Sequence, residues 1–254
     1  MSKLTIITVV RNGSATVRDC IESVLNQNFK AEYIIIDGNS TDSTLEIIDE
    51  YKSHVDKVIS EPDDGLYDGM NKGLSLATGE IIGFLHADDI YTDGTILSRV
   101  IDIMEIEQSD ACYGDLVYVD SKNLNRITRY WISGPYSVSR FYWGWMPPHP
   151  TFFARRKVYK KFGFYRNNLG TAADYELMLR LLVKHEISVS YIPEVLVKMR
   201  TGGKSNAVLK TRLKANLMDR KAWKLNKLVP YPWTLHMKPL IKLKQYWPRR
   251  RKKL

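Results

Sequence analysis

Three unbroken apolar runs, "LTIITVV" (4–10), "YIIID" (33–37) and "EIIGFL" (80–85), constrain the fold more than any other feature of this 254-residue chain. A strand that is apolar at every position must be covered on both faces, because successive side chains point to opposite sides of a sheet. Amphipathic segments separate the runs. Val17, Cys20, Ile21, Val24 and Leu25 share one helical face behind Ser14, a suitable N-cap. Ser43 and Glu46 have the spacing of a capping box opening "LEIIDEYK". "DKVIS" (56–60) reads as a short third strand in chain order, residues 67–78 as a helix and "EIIGFL" as the fourth strand. This alternation predicts an α/β fold with a mostly parallel sheet flanked by helices. The second half is more mixed. "ACYGDLVYVD" and "ITRYWI" form an expected hairpin around "SKNLN", "DYELMLRLLVK" (174–184) a helix, and "SVSYIPEVLVKM" two short strands broken at Pro193.

Only Cys20 and Cys112 are present, without metal-site spacing, and the chain moves from Lys3 straight into strand-like sequence. No apolar run reaches the length of a membrane-spanning helix. A soluble cytoplasmic protein without a disulfide is expected. Charge is unevenly placed. Residues 204–254 hold 16 Lys and Arg against one acid, Asp219, whereas residues 1–203 hold 22 basic and 27 acidic residues. From Ser205 onward the sequence is helix-like, with Leu209, Leu213 and Leu217 at four-residue spacing, until Pro230 and Pro232. Trp223, Tyr231, Trp233, Tyr246 and Trp247 interleave with the cations. Aromatics among basic residues on an amphipathic segment suit an anionic membrane surface, and nucleic acid would also attract the charge.

In open α/β sheets, ligands bind beyond the carboxyl ends of the strands. The polar turns there are "TVVRNGS", "IIIDGNSTDST", "SEPDDGLYDGMNKG" and "LHADD". If the strands are neighbours, their carboxylates converge, and like charges so gathered raise one another's pKa unless a cation neutralises them. Mg²⁺ or Mn²⁺ held between one or two carboxylates and substrate phosphates would do so. In "HADD", one of Asp88 and Asp89 would hold the ion while its neighbour takes a sugar hydroxyl.

The ordered series "TVVRNG", "DGNSTDST", "EPDDGLYDGMNKG", "GEIIGFLHADD", "PHPTFF" and "ADYELMLR" resembles the family 2 glycosyltransferases of the GT-A fold over roughly residues 3–205. It is similar to bacterial members that build capsule, exopolysaccharide and O-antigen units. The resemblance implies a GT-A domain over 1–204, with a nucleotide-binding half (1–110), an acceptor half (111–204) and a basic extension (205–254). It implies that Thr8, Val10 and Arg11 line the base pocket and that Asp37 bonds the base. Asp64 and Lys72 would fix the nucleotide and its phosphates, Asp88 would contact ribose or donor sugar, and Asp89 would ligate Mn²⁺ or Mg²⁺. His86 stands where many relatives carry Asp or Asn. Asp174 falls at the family's general base, with Ala173 where Glu usually precedes it; as a bare sequence feature it is an acidic residue in a first helical turn. His149 is either a packed histidine or part of the acceptor side. Arg200 and Lys204 flank two glycines in "MRTGGKS", a connector or a lid over the diphosphate.

The expected activity is inverting transfer of a sugar from a nucleotide-diphosphate sugar, UDP by default, to a lipid-linked (polyprenyl diphosphate) saccharide at the inner face of the cell membrane. A nucleotidyltransferase would also use such a sheet with acidic metal ligands, but "RNGSAT" is a poor Gly-rich phosphate loop. A nucleic-acid binder acting through the basic tail is the third reading. The net acidic body counts against it, so no nucleic-acid partner is expected.

Overall fold

The computed structural model describes residues 3–202, 209–243 and 245; of residues 209–215 and 243 it describes the backbone alone. Lys204, Tyr246 and Trp247, and the side chains of Leu209 and Leu213, fall outside that description.

One nine-stranded sheet organises the chain. Its strands are β1 (Leu4–Val10), β2 (Glu32–Asp37), β3 (Lys57–Ser60), β4 (Ile81–Phe84), β5 (Asp89–Tyr91), β6 (Ala111–Val119), β7 (Ile127–Trp131), β8 (Phe153–Arg155) and β9 (Val189–Arg200). Spatially they run β3-β2-β1-β4-β8-β6-β9-β5, with β7 also paired to β6. The four strands β3, β2, β1 and β4 are mutually parallel, as expected. β8 enters antiparallel between β4 and β6, β9 returns parallel to β6, and β5 closes the edge antiparallel to β9.

The apolar runs are covered on both faces because alternate residues feed two separate cores. Leu4, Ile6, Tyr33 and Ile35 pack with α1 (Val17–Leu25) and α4 (Ile96–Ile106), whereas Ile7, Val9, Ile34 and Ile36 join α3 (Leu66–Leu76). Helix α3 lies unusually close to β1. A Cβ on Gly69 would stand 2.7 Å from Val9 Cγ1, and one on Gly73 2.4 Å from Ile7 Cγ2. That contact fixes the first turn of α3, with Tyr67 and Asp68, at the carboxyl edge of the sheet.

Several local expectations are corrected. Ser14 is not an N-cap: α1 begins after Thr16, and the Ser14 amide instead donates to Asp42 Oδ2 at 3.2 Å. Ser43 stands at the N-cap of α2 (Thr44–Glu50) but its side chain makes no capping bond, and the Thr44 amide donates to Asp42 Oδ1 at 3.1 Å. Pro193 does not break β9. Its pairing with β6 slips between Tyr113↔Tyr191 and Asp115↔Val195, and this bulge accommodates the proline in one continuous strand. The expected helix at 174–184 is α7 (Ala173–Met178), continuing as a wider π turn through Lys184.

The C-terminal segment packs on the body. Between α5 (Val138–Tyr142) and α7 lie α6 (Arg156–Phe162) and two 3-10 turns, His149–Thr151 and Asn167–Ala172. Helix α8 (Leu209–Leu225) rests on α7 and on the second turn. Trp223 is 1% exposed and its indole N–H donates to the Tyr175 hydroxyl at 2.9 Å. Asn226 donates to Glu176 Oε1 at 3.0 Å, and Glu176 is itself clamped by Arg180, which also donates to the carbonyls of Phe162, Gly163 and Phe164. Helix α9 (Thr234–Leu243) crosses Gly144, where a Cβ would sit 2.7 Å from the Lys238 nitrogen and 2.8 Å from the Thr234 oxygen. With φ at +85°, that position suits glycine on both counts.

Because Trp223 belongs to the main core, Trp223→Ala should destabilise the whole chain by about 3–5 kcal/mol. Denaturant unfolding followed by circular dichroism should show one lowered transition; an unchanged main transition would mean that α8 is a dispensable appendage.

Candidate active site

Parallel register sets the site. Val10 pairs with Asp37 and Asp37 with Ser60, so β1, β2 and β3 end level with one another, and the Leu85 amide donates to Ile7 as β4 ends alongside. Asp37 is fully buried. Its carboxylate accepts from the Ser40 amide (3.0 Å), the Ser40 hydroxyl (2.5 Å) and the Ser60 hydroxyl (2.7 Å). Asn12 joins the same edge, its amide donating to Ser40 Oγ at 2.8 Å and its Oδ1 accepting from Thr41 at 2.8 Å. Arg11 extends from it, exposed. Thr8 and Val10 form its floor: both are buried, and the Thr8 hydroxyl lies 3.1 Å from that of Tyr33.

The acid beside Asp37 is Asp63. A Cβ on Gly38 would fall 2.3 Å from Asp63 Oδ2, so the carboxylate lies directly over that glycine. Asp63 Oδ1 also accepts from the Gly65 amide at 3.0 Å, an Asx turn that "PDDG" signals in sequence. Asp64 is exposed, its amide bonded to Asp68 Oδ2 at 3.3 Å. Lys72 closes this loop from below, 2.9 Å from Glu61 and 3.5 Å from Asp68, and donates to the Pro62 carbonyl at 2.8 Å.

The "HADD" segment is a tight turn in which the Asp89 amide donates to the His86 carbonyl at 2.9 Å. The Cys20 thiol donates to the same carbonyl at 3.2 Å, and the Arg200 guanidinium to the Asp88 carbonyl at 3.0 Å. Arg200 is the last residue of β9, buried and ion-paired with Asp19. It therefore anchors the turn instead of standing free on a loop.

The two adjacent acids are placed differently. Asp88 is half-buried, whereas Asp89 opens β5 with no exposed surface and no hydrogen-bond partner among the described residues for either oxygen. Glu32, at the opposite end of the sheet, makes the contrast clear. Burial also works against its ionised form, but donors from Thr5, Thr78 and Gly79 outweigh it and hold the carboxyl down to about 2. Asp89 has no such donors. Burial, reinforced by Asp88 and opposed by Arg200, pushes it well above the usual carboxylate range.

No three His, Cys, Asp or Glu side chains among the described residues form a cage for a metal ion. A hard divalent cation completed by substrate phosphates needs only one or two carboxylates. The unpartnered Asp89 oxygens beside Asp88 fit that demand.

A ring-lined wall runs from this turn toward Asp174 at the start of α7. His86 lies 5.4 Å from His149, His149 5.9 Å from Tyr165, and Tyr165 5.5 Å from Tyr67, between ring centroids. Neither ring nitrogen of His149 has a partner among the described residues; burial, and then His86, push it down to about 3. It is a neutral, packed ring. Burial also lowers His86, against the pull of Asp88. The Tyr67 hydroxyl lies against Asp174. Asp174 is half-buried in the first turn of α7, one oxygen accepting from the Tyr175 amide at 2.6 Å. Burial raises its carboxyl, while Lys238 and Lys242 of α9 pull the other way. Lys238 sits 3.5 Å from the Tyr175 ring centroid and 2.6 Å from Asp219.

Tyr67, Tyr165, Lys238 and Lys242 escaped the sequence reading, whereas Asp63 stood among the acids of the "SEPDDGLYDGMNKG" turn. Only Asp63 had a local signal, its spacing to Gly65; the others depend on tertiary contacts.

A mostly parallel sheet whose carboxyl edge gathers acids, with Asp174 across an aromatic wall from them, is the arrangement of an α/β enzyme. Glycosyl transferase family 2 matches residues 5–165, and the chain belongs to that family; it is a glycosyltransferase. Among its relatives, a PGL/p-HBAD biosynthesis glycosyltransferase of Mycobacterium tuberculosis is 29% identical over 210 residues, 80% of this chain and 79% of that one. A poly(ribitol-phosphate) beta-glucosyltransferase of Bacillus spizizenii is 30% identical over 129 residues, 48% of this chain and 20% of that protein. The GT-A fold is shared with S. aureus TarS 1-349 in complex with UDP-GlcNAc, at TM-score 0.68, 17% identity and coverage of 92% and 69% of the two chains. This chain spans 39% of the longer TarS structure. It also resembles the mannosyltransferase PcManGT of Pyrobaculum calidifontis in complex with GDP-Man and Mn²⁺, at TM-score 0.65 and 15% identity, covering 93% and 69%.

A carboxyl whose folded pKa exceeds its unfolded value contributes stability at low pH and loses it as pH rises through the folded value. Metal-free Asp89→Asn should therefore melt higher than the parent at pH 8, by about 3 °C or more if a kcal/mol is recovered, and converge with it near pH 4. Equal melting curves at pH 8 would show that Asp89 bears no such cost.

Proposed function

We propose that this glycosyltransferase moves a sugar, with inversion, from a nucleotide-diphosphate sugar to a lipid-linked saccharide whose carrier is a polyprenyl diphosphate. The observation that carries the reading is the placement of Asp174 across the aromatic wall from the acidic carboxyl edge. One acid group thereby faces an acceptor while the others face a donor. UDP is the nucleotide we favour, consistent with the UDP-GlcNAc complex of TarS. Relatives in PGL/p-HBAD biosynthesis and poly(ribitol-phosphate) glucosylation support cell-surface glycans as the setting, and within it we favour capsule or O-antigen units.

In this reading Asp37 and Asp63 receive the base and ribose, with Arg11 and the Asn12 backbone at their rim. Lys72 acts by holding the 61–68 loop. Asp88 and Asp89 would hold Mn²⁺ or Mg²⁺, which when bound neutralises charge on the leaving diphosphate. Their placement favours Asp88 as the half-buried, substrate-facing group and Asp89 as the fully buried one behind it, a shift from assigning the ion to Asp89 alone. Arg200 fixes that turn, and His149 and Tyr165 present rings to a sugar face.

Transfer forms a bond from the acceptor oxygen to the anomeric carbon as the bond from that carbon to the diphosphate breaks. The electron pair leaves with the diphosphate, and the acceptor proton goes to the Asp174 carboxylate. The oxocarbenium-like transition state places positive charge on the sugar, beside a wall of neutral rings. A half-buried carboxylate with a raised pKa is a better proton acceptor than an exposed one, and Lys238 opposes that rise in favour of the ionised form. The lipid-linked acceptor and the basic C-terminal region together support peripheral attachment to the inner face of the membrane; no described helix is long and apolar enough to cross it.

Asp174→Asn should lower kcat by between about a hundredfold and ten-thousandfold while leaving the dissociation constant for UDP within about twofold of the parent. Stopped assays of UDP release with acceptor, paired with calorimetry, would check this. Near-normal kcat in that variant would remove Asp174 from the chemistry.

A further inference from the structure

The α8–α9 corner carries a cluster of large apolar side chains that nothing described covers. Trp143 is 50% exposed, Trp233 44%, Tyr231 46% and Val229 82%. They form a connected ridge, since the Trp143 and Trp233 rings are 5.8 Å apart, and those of Tyr231 and Trp233 5.1 Å apart. The ridge is rooted in the core through Tyr142, whose ring lies 5.0 Å from both Tyr231 and buried Trp223. Along α9, Trp233, Met237 and Leu240 follow helical spacing, with Leu240 51% exposed, so the apolar stripe continues over the outer face. The neighbouring face, with Lys238 and Ile241, turns inward toward Trp145 and Gly144.

Cations border this ridge. Arg220 of α8 lines a shallow groove with Pro230, Tyr231 and Pro232. Lys221, Lys224 and Lys227 follow on exposed positions of the same segment. A rigid patch of Trp and Tyr rings edged by Arg and Lys is the chemistry of a bilayer interface. The rings seat at headgroup depth, and the cations meet anionic lipid. The charge disfavours a second copy of the same face, which would bring like charges together.

We propose that the Trp143–Tyr231–Trp233 ridge, with the cations of α8, is a built docking surface for an anionic lipid bilayer. The inference deepens the proposed function and rests on its lipid-linked acceptor. It identifies the membrane-contacting element as a folded face shared by the acceptor half and the C-terminal helices. It also links that face to the proposed base, because Lys238 of α9, five residues after Trp233, acts on the Asp174 carboxyl.

Full-chain protein is floated with vesicles of phosphatidylcholine alone and of phosphatidylcholine with phosphatidylglycerol, at low and high NaCl. The parent should bind the anionic vesicles and weaken with salt. The Trp143→Ser/Tyr231→Ser/Trp233→Ser variant should bind about tenfold or more weakly, as should Arg220→Glu/Lys224→Glu. Unchanged melting and UDP binding would show these variants folded. Parent-like vesicle binding by the ring variant overturns the proposal. So does loss of all binding only when the basic run at 249–253 is neutralised, or a parent dimer that the ring variant makes monomeric without changing vesicle binding. Ridge-dependent vesicle binding combined with equal transfer to a water-soluble acceptor would leave the surface standing and remove the lipid-linked acceptor.

Discussion

In-register parallel pairing of β1, β2 and β4 is the constraint from which the rest follows. With Val10 beside Asp37 and Ile7 beside Phe84, three polar turns separated by tens of residues open on one edge. The pairing needs strands buried on both faces, and the two cores supply this by taking alternate side chains of the same strands. Gly69 and Gly73 then allow α3 to approach β1 closely enough to bring Asp63 over Gly38. Stability and site geometry are thus set by the same contacts.

The site combines acids in three distinct states. Asp37 is buried with three donors, Asp88 is partly open, and Asp89 is buried without a partner. A buried unpaired carboxylate is costly, and such cost concentrates where a ligand later offsets it. Across the ring wall, Asp174 is raised by burial and moderated by lysines from α9. The C-terminal helices therefore act on Asp174 through Lys238 and Lys242 as well as contributing to the core through Trp223.

Strands β1–β4, the parallel half of the sheet, the β6–β7 hairpin and the family were legible in the sequence, because continuous apolar runs and ordered turn motifs depend on local pattern; the short strands β5 and β8 were not. Side-chain direction was not. Asp63 and Asp64 look alike in "PDDG", and only the approach to Gly38 distinguishes them. Asp88 and Asp89 differ because β5 begins at Asp89 and turns it inward. Arg200 read as part of a connector or a lid from its glycine neighbours, but pairing with Val119 of β6 draws it into the end of β9. The basic tail read as an appendage because charge dominates its composition. Its docking rests on a few residues, Trp223, Asn226 and the Gly144 contact, whose partners lie far off in sequence.

The central claim is that the carboxyl edge binds a nucleoside diphosphate together with a divalent cation. Calorimetric titration of UDP and GDP into the parent and Asp88→Asn, in Mn²⁺ and in EDTA, tests it most directly. The account predicts that the parent binds one of the two, at least about tenfold more tightly with Mn²⁺, and that Asp88→Asn loses this dependence. Failure of the parent to bind either nucleotide, or equal binding by both proteins regardless of metal, would contradict it.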